Sequence, residues 1–420
     1  MTLRKIRPAT ALSRAEVVGS ALLAGSGLLI GSALLVACQN DSGPPPASVP
    51  KSSSVPHGYV EGAEETAEQQ PRLVLADAGT GEAGVLDLIT GDITPLKRTE
   101  GVRGLLADGR FAYLRTDGAT HAVDTGSWKV DHGDHVHYYR AGIRDVGPIG
   151  TADAARVHSD QAVTALSSAE GAGELLDRKT LESGTAARSR ALPAAGGGAI
   201  VPYKEHLLVA SAGAGRDTVE IRDRDGARVT TIGEPCAEAR GEAVTRRGVV
   251  FGCADGALLV SEDKGTFGAE KIAYGEDVSS SDRAVDFRHR AGSTTLAARS
   301  GDDGVWILDV TDRAWTRIRT GPVAAANTAG EGAPLLALGE DGALTAYDIA
   351  TGKRTLRKEL LTKGATSGAA AAVIEIDTTR AYINDASAKK VYEIDYNDRL
   401  RLARTFPLAF APTYMVETGR

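Results

Sequence analysis

Sulfur is scarce in this chain of 420 residues: it has three cysteines and two methionines, one of the latter the initiator. A soft copper site, which prefers Met or Cys ligands, has almost no donors to draw on. Positive charge is also in the minority. Lys and Arg number 48 against 55 Asp and Glu, a formal net charge of -7, so the basic footprint that nucleic acid requires is missing. The chain contains no phosphate-cradling glycine loop, no dinucleotide fingerprint and no nucleophile elbow. Long amphipathic helical periods are absent too, and the 49 glycines and 16 prolines are scattered throughout. Such a pattern points away from a helical architecture.

The one long apolar run lies at the start. Residues 1–16 carry Arg4, Lys5, Arg7 and Arg14 against the single acid Glu16, and Val17 to Ala37 is nearly all Ala, Gly, Ser, Leu, Val and Ile. A charged head, an apolar stretch and small residues before a cut describe a secretory signal over residues 1–37. The run ends Leu35-Val36-Ala37-Cys38, which resembles the lipobox of bacterial lipoproteins and makes Cys38 the lipidated first residue of the mature chain. A spanning anchor is the alternative, since the run is long enough to cross a bilayer. Either reading holds the rest outside the cytoplasm at a membrane surface. Residues 38–70 are rich in Ser, Pro, Gly and Glu without apolar periodicity, and read as a flexible tether. Its acidic run Glu61-Gly62-Ala63-Glu64-Glu65 reads as solvated charge.

With Cys38 taken by lipid, Cys236 and Cys253 remain. In an oxidising compartment two such residues invite a disulfide; two buried free thiols are the alternative. A bridge would pin the connection holding Cys236 to the strand holding Cys253, and closing such a loop is worth roughly 3 kcal/mol in the chain-entropy model.

From residue 71 to 420 one pattern returns. An apolar strand leads through an Asp- or Gly-containing turn to a second strand that ends in Asp. Leu73-Val74-Leu75-Ala76-Asp77 leads to Gly84-Val85-Leu86-Asp87, Phe111-Ala112-Tyr113-Leu114 to Ala122-Val123-Asp124, and Leu335-Leu336-Ala337-Leu338 to Leu344-Thr345-Ala346-Tyr347-Asp348. About eight copies recur at roughly 40–50 residue spacing, which is the sequence mark of a β-propeller. The expected fold is therefore all-β, a propeller of eight blades over 71–420, with seven if two copies share a blade. A blade cannot bury both faces alone, so neighbours stack and the ring closes.

Against this background stands Asp131-His132-Gly133-Asp134-His135-Val136-His137-Tyr138-Tyr139. Three of the chain's eight histidines fall in it, and neutral imidazole is the common ligand of borderline divalent metals. His135 and His137 share a face of a strand, Gly133 permits a bend that returns His132 to it, and His158 is placed to complete a tetrahedral set. Asp131 and Asp134 serve as ligands or orient the imidazoles. Zinc is the metal this set suits. The sequence position suggests the connection into the third blade, or that blade's innermost strand. His57, His121, His206 and His289 stand alone and read as ordinary surface or core histidines. A polar, histidine-rich hairpin without metal is the alternative.

The histidine stretch, the signal, the repeats and the Cys236/Cys253 pair together resemble the extracytoplasmic zinc metallochaperones of AztD type. The resemblance covers most of the chain after the tether, though only the histidine stretch and the Cys253-Ala254-Asp255-Gly256 region are specific. It implies a propeller that captures Zn2+ and hands it to the solute-binding protein of a zinc ABC transporter. There are departures: Arg240 precedes Gly241-Glu242-Ala243 where the family tends to carry a histidine, and Arg156 and Arg290 sit near His158 and His289 where further histidines would strengthen a site. The resemblance thus implies a divergent member with a single or weakened site. Two other readings compete, a propeller hydrolase or lactonase using a histidine-bound metal with Asp131, Asp134 or Glu242 as base, and a metal-free interaction platform.

The lipobox reading has a direct test. Cys38→Ser is expected to leave unprocessed precursor in place of the anchored, processed form; unchanged attachment and processing on fractionation would refute it.

Overall fold

A strand that is apolar at every position must be covered on both faces, because successive side chains point to opposite sides. The computed structural model describes residues 62–420 except 133–134, 151–153, 170, 186–188, 193–197, 212–216 and 362–371. The signal, Cys38, most of the expected tether, His57 and Asp134 lie outside the described residues. Within them, Leu73, Val74, Leu75 and Ala76 are all fully buried. Leu73 and Leu75 pack with Val391, Phe406 and Met415 on one side, while Ala76 packs with Leu114 and Val123 on the other. Fully burying a side chain of this size contributes about 1.5–3 kcal/mol, so both faces are committed to neighbours.

The neighbours are other sheets. Eight of the nine sheets among the described residues are antiparallel blades, seven with four strands and one with three. In chain order they occupy 72–95 with Tyr414–Thr418, 104–149, 154–191, 200–231, 242–273, 295–318, 323–359 and 374–407. The expectation of eight blades holds. Each sequence repeat proves to be the two middle strands of a blade, such as Arg72–Ala76 and Ala83–Asp87. In the sixth blade the innermost strand is reduced to a single bridge between Arg288 and Ala297.

Every pair of adjacent blades shares an apolar cluster, the first with the second through Ala76 and Leu114, and so on round to the eighth with the first through Val391 and Leu73. Closure is also made by hydrogen bonding between the two ends of the array. The C-terminal strand Tyr414–Thr418 is the innermost strand of the first blade, with Arg72 opposite Thr418 and Ala76 opposite Tyr414. Unfolding one blade therefore exposes two interfaces, which makes the ring cooperative.

Cys236 and Cys253 are bonded to each other, across a sequence separation of 17. Cys253 ends a middle strand of the fifth blade and Cys236 lies in the connection before it. Both are buried in the cluster between the fourth and fifth blades.

The closing strand carries one poorly solvated acid. Glu417 is fully buried, and its Oε2 lies 3.0 Å from Arg420 Nη1, which also reaches Glu375 Oε2 at 3.0 Å. Its Oε1 has no hydrogen-bond partner. Burial pushes the Glu417 carboxyl up to about 8 despite the opposing charge of Arg420. A carboxyl raised in the folded state holds a proton that the unfolded chain has released, so stability falls as pH rises between the ordinary value of 4.5 and about 8. Glu417→Gln is expected to flatten that decline in urea unfolding at pH 5 and pH 8; an unchanged pH dependence would show that Glu417 is ionised throughout.

Candidate metal centre

The histidine stretch lies on a hairpin that leaves the second blade, not in the connection into the third blade as its sequence position suggested. Strands Ser127–Asp131 and Val136–Arg140 are inserted between that blade's third strand, Thr120–Asp124, and its outermost strand, Arg144–Ile149. The blade sheet continues across the insertion, with Arg144 opposite Asp124. Sequence order alone cannot distinguish an insertion within a blade from a connection between blades, because both follow the same repeat.

The root of the hairpin is built from charge and rings. Asp124 is fully buried and accepts from Arg110 Nε at 3.1 Å, Arg110 Nη2 at 2.9 Å and Arg144 Nη2 at 2.7 Å. Burial works to raise its carboxyl, but Arg110 and Arg144 more than offset this and hold it below the ordinary range. The other side of the Arg110 guanidinium lies 3.7 Å from the centre of the Trp128 ring, a cation–π contact of the stronger, desolvated kind. Trp128 in turn stacks on Tyr139 across the hairpin at 5.5 Å. Gly126 takes φ +68° at the exit, where a Cβ would come within 2.4 Å of the Ala141 carbonyl oxygen. Ala141 N–H donates to the Gly126 carbonyl at 2.7 Å and closes the base.

At the far end the backbone N–H of His132 donates to the carbonyl of His135 at 2.9 Å, closing the turn. His132, His135 and His137 converge there. Their ring centres are 4.8, 5.4 and 4.9 Å apart in the pairs 132–135, 132–137 and 135–137. One nitrogen from each ring falls within 4.8 Å of the others, with His132 and His135 exposed and His137 half-buried. Three imidazoles at this spacing fit a borderline divalent ion after small side-chain movements, since Zn–N bonds run about 2.0–2.1 Å.

His158 is not brought into this group. It lies on Ala154–Ser159, the innermost strand of the third blade, with Nε2 2.9 Å from Glu242 Oε1. Arg156 Nε reaches the other oxygen of the same carboxylate at 3.3 Å. Glu242 starts the innermost strand of the fifth blade, so this contact bridges inner strands of the ring and engages both Arg156 and His158 there. Asp131 ends the first hairpin strand beside the cluster and is exposed. Of the histidines expected to stand alone, His121 Nε2 pairs with Asp145 Oδ1 at 2.5 Å, His206 Nδ1 lies 2.8 Å from the Lys204 carbonyl, and burial lowers His289 to about 4.

The residue that sequence reasoning passed over is Glu65. In the stretch read as tether, Glu64–Thr66 forms a strand that adds to the free edge of Val136–Arg140, with Glu64 opposite Arg140 and Thr66 opposite Tyr138. Glu65 Oε1 then lies 2.6 Å from His137 Nδ1, and Glu64 Oε2 lies 2.9 Å from Arg140 Nε. The available signal was the acidic run itself, which a histidine-rich edge strand would attract.

No family model matches the chain, and no curated protein matches it in sequence. Solved structures do match. The dihydro-heme d1 dehydrogenase NirN in complex with DHE has a TM-score of 0.52 at 14% identity, over 84% of this chain and 76% of its own. Apo AztD from Citrobacter koseri reaches a TM-score of 0.69 at 15% identity, over 83% of this chain and 98% of its own. A second Citrobacter koseri AztD structure reaches 0.70 at 16% identity, over 84% and 98%. In fold this chain is thus similar to AztD over nearly the whole of that protein, as the histidine stretch, the repeats and the cysteine pair led us to expect.

Proposed function

We propose that this chain is an extracytoplasmic zinc-binding protein, anchored to the cell membrane through Cys38, which captures Zn2+ and passes it to the solute-binding protein of a zinc ABC transporter. The observation that carries the reading is the convergence of His132, His135 and His137 at the exposed end of a hairpin outside the packed ring. Two further supports are the AztD-like fold and the character of the donors. Imidazole is neutral and available near pH 7, and three imidazoles suit zinc better than the hard alkaline-earth ions.

Delivery needs an ion held firmly enough to be captured and loosely enough to leave. A set of three protein ligands leaves a position for water or for an incoming ligand of the acceptor. Exposure at the end of a hairpin gives that ligand access. Protons compete for imidazole nitrogen, whose ordinary pKa is about 6.5, so capture weakens below that pH. No bond of a substrate is made or broken, and the reading assigns no catalytic residue.

In a zinc titration at pH 7.5 we expect His135→Ala/His137→Ala to abolish tight binding and His132→Ala to weaken it at least tenfold. His158→Ala and His121→Ala are expected to leave it within about twofold, and chelation to leave the far-ultraviolet circular dichroism unchanged, because blade stacking holds the ring. Unchanged affinity in the double variant would make the cluster a polar turn. Unfolding on chelation would make the ion structural, and zinc-dependent turnover of esters or lactones would favour a hydrolase.

A further inference from the structure

We infer that the strand Glu64–Thr66 is a metal-coupled latch, in which Glu65 positions His137 for the ion, so that docking of this strand strengthens metal binding and its release loosens the ion. The inference rests on the zinc reading of the histidine cluster and concerns how that site is held and opened.

The geometry separates Glu65 from the ligands themselves. Among the described residues, the donors close enough to share an ion are His132, His135 and His137. Glu65 meets the cluster at the Nδ1 of His137, 2.6 Å from its Oε1. An ionised carboxylate there accepts a hydrogen bond from Nδ1–H, the tautomer that leaves the lone pair on Nε2. Metal-bound histidines commonly have their second nitrogen held in this way by a carboxylate, which fixes the tautomer and the ring orientation and makes the ligand more basic. Glu65 is therefore a positioning residue.

Strand register explains how it arrives. Glu65 is directly opposite Tyr139, and residues two apart on a strand share a face. His137, two residues before Tyr139, is thus the diagonal neighbour of Glu65 on that face, within reach of a long side chain. A slip of one residue would put Glu65 on the opposite face and leave Glu64 or Thr66 beside His137.

The latch is lightly held otherwise. It has three residues and, among the described residues, pairs on one side only. Its second ion pair, Glu64 with Arg140, joins side chains that are 63% and 50% exposed, and exposed pairs of this kind contribute little. The Thr66 hydroxyl donates within its own segment, to the Glu68 carbonyl at 2.8 Å, and lies 3.4 Å from the Tyr138 carbonyl. Because the strand's own pairing is slight, a contribution from the metal is large enough to move its docking equilibrium. Linkage is reciprocal: the factor by which docking raises zinc affinity is the factor by which zinc raises docking.

The test compares the whole mature chain with Glu65→Ala, Glu65→Gln and Glu64→Gln. Zinc affinity and the rate of zinc loss to a chelator are measured, together with amide hydrogen exchange of residues 62–68 with and without zinc. In the unaltered chain zinc is expected to slow exchange in this segment. Glu65→Ala should lower affinity 10–100-fold, speed zinc loss and remove the zinc-dependent protection. Glu65→Gln, which keeps an acceptor oxygen, should fall between, and Glu64→Gln should keep the protection. If the unaltered chain binds zinc and Glu65→Ala binds it equally, or if zinc leaves exchange of 62–68 unchanged, the latch is overturned while the zinc reading stands. If the unaltered chain binds no zinc, both fall together.

Discussion

Everything in this molecule depends on sheets that are apolar on both faces. A blade such as the first buries Leu73 and Leu75 against the eighth blade and Ala76 against the second. No blade can satisfy that demand with one neighbour, and a row of blades would leave two open faces at its ends. Closure removes them, and the pairing of Tyr414–Thr418 with Arg72–Ala76 fastens the two ends of the repeat array into one sheet. The Cys236–Cys253 bond reinforces one of these interfaces but stands in a cluster that is already closed by Val201, Leu208 and Leu258.

That division of labour leaves the far end of the hairpin, where His132 and His135 are exposed, outside the packing between blades. Its sheet is the one sheet among the described residues that is not a blade. Its position is set at the root, where Arg110 is held between the Asp124 carboxylate and the Trp128 ring. Both charged side chains are nearly or wholly removed from solvent, at 2% and 0% exposure. Taking one partner from such a pair typically costs about 3–5 kcal/mol, whereas an exposed pair such as Glu64–Arg140 is worth well under 1. The hairpin is thus firm where it leaves the blade and lightly held where it bears the histidines.

The sequence showed the middle strands of the blades plainly and the rest dimly, for a physical reason. Middle strands are covered on both faces and read as unbroken apolar runs, as in Leu335–Gly339. Outermost strands face solvent and read as polar segments with no clear period; Arg354–Glu359 is an example. Several innermost strands are short, such as Ile200–Tyr203 and Ile374–Ile376, and in the sixth blade the segment shrinks to one bridge. The histidine cluster was legible from density alone, and three of its members do converge. His158 was misplaced because nearness in sequence stood in for nearness in space. The polypeptide between His137 and His158 runs through the outermost strand of one blade to the innermost strand of the next, which carries His158 to Glu242 and away from the hairpin. Glu65 was missed for the converse reason: it is 72 residues from His137 and 2.6 Å from it.

The contrast between these two histidine–carboxylate contacts says what kind of site the hairpin is. His158 and Glu242 meet on inner strands of two blades, and the carboxylate, 8% exposed, is shared with Arg156. An ion added there would have to displace a guanidinium from a nearly buried carboxylate, so the contact belongs to the ring's own electrostatics. His137 and Glu65 meet at 29% and 46% exposure, with two more histidines close by and no arginine on that carboxylate among the contacts described. An ion added there would meet a ring whose Nδ1 is held by a carboxylate. The hairpin offers three imidazole donors together with exposure. Capture and surrender of one metal ion need both properties together.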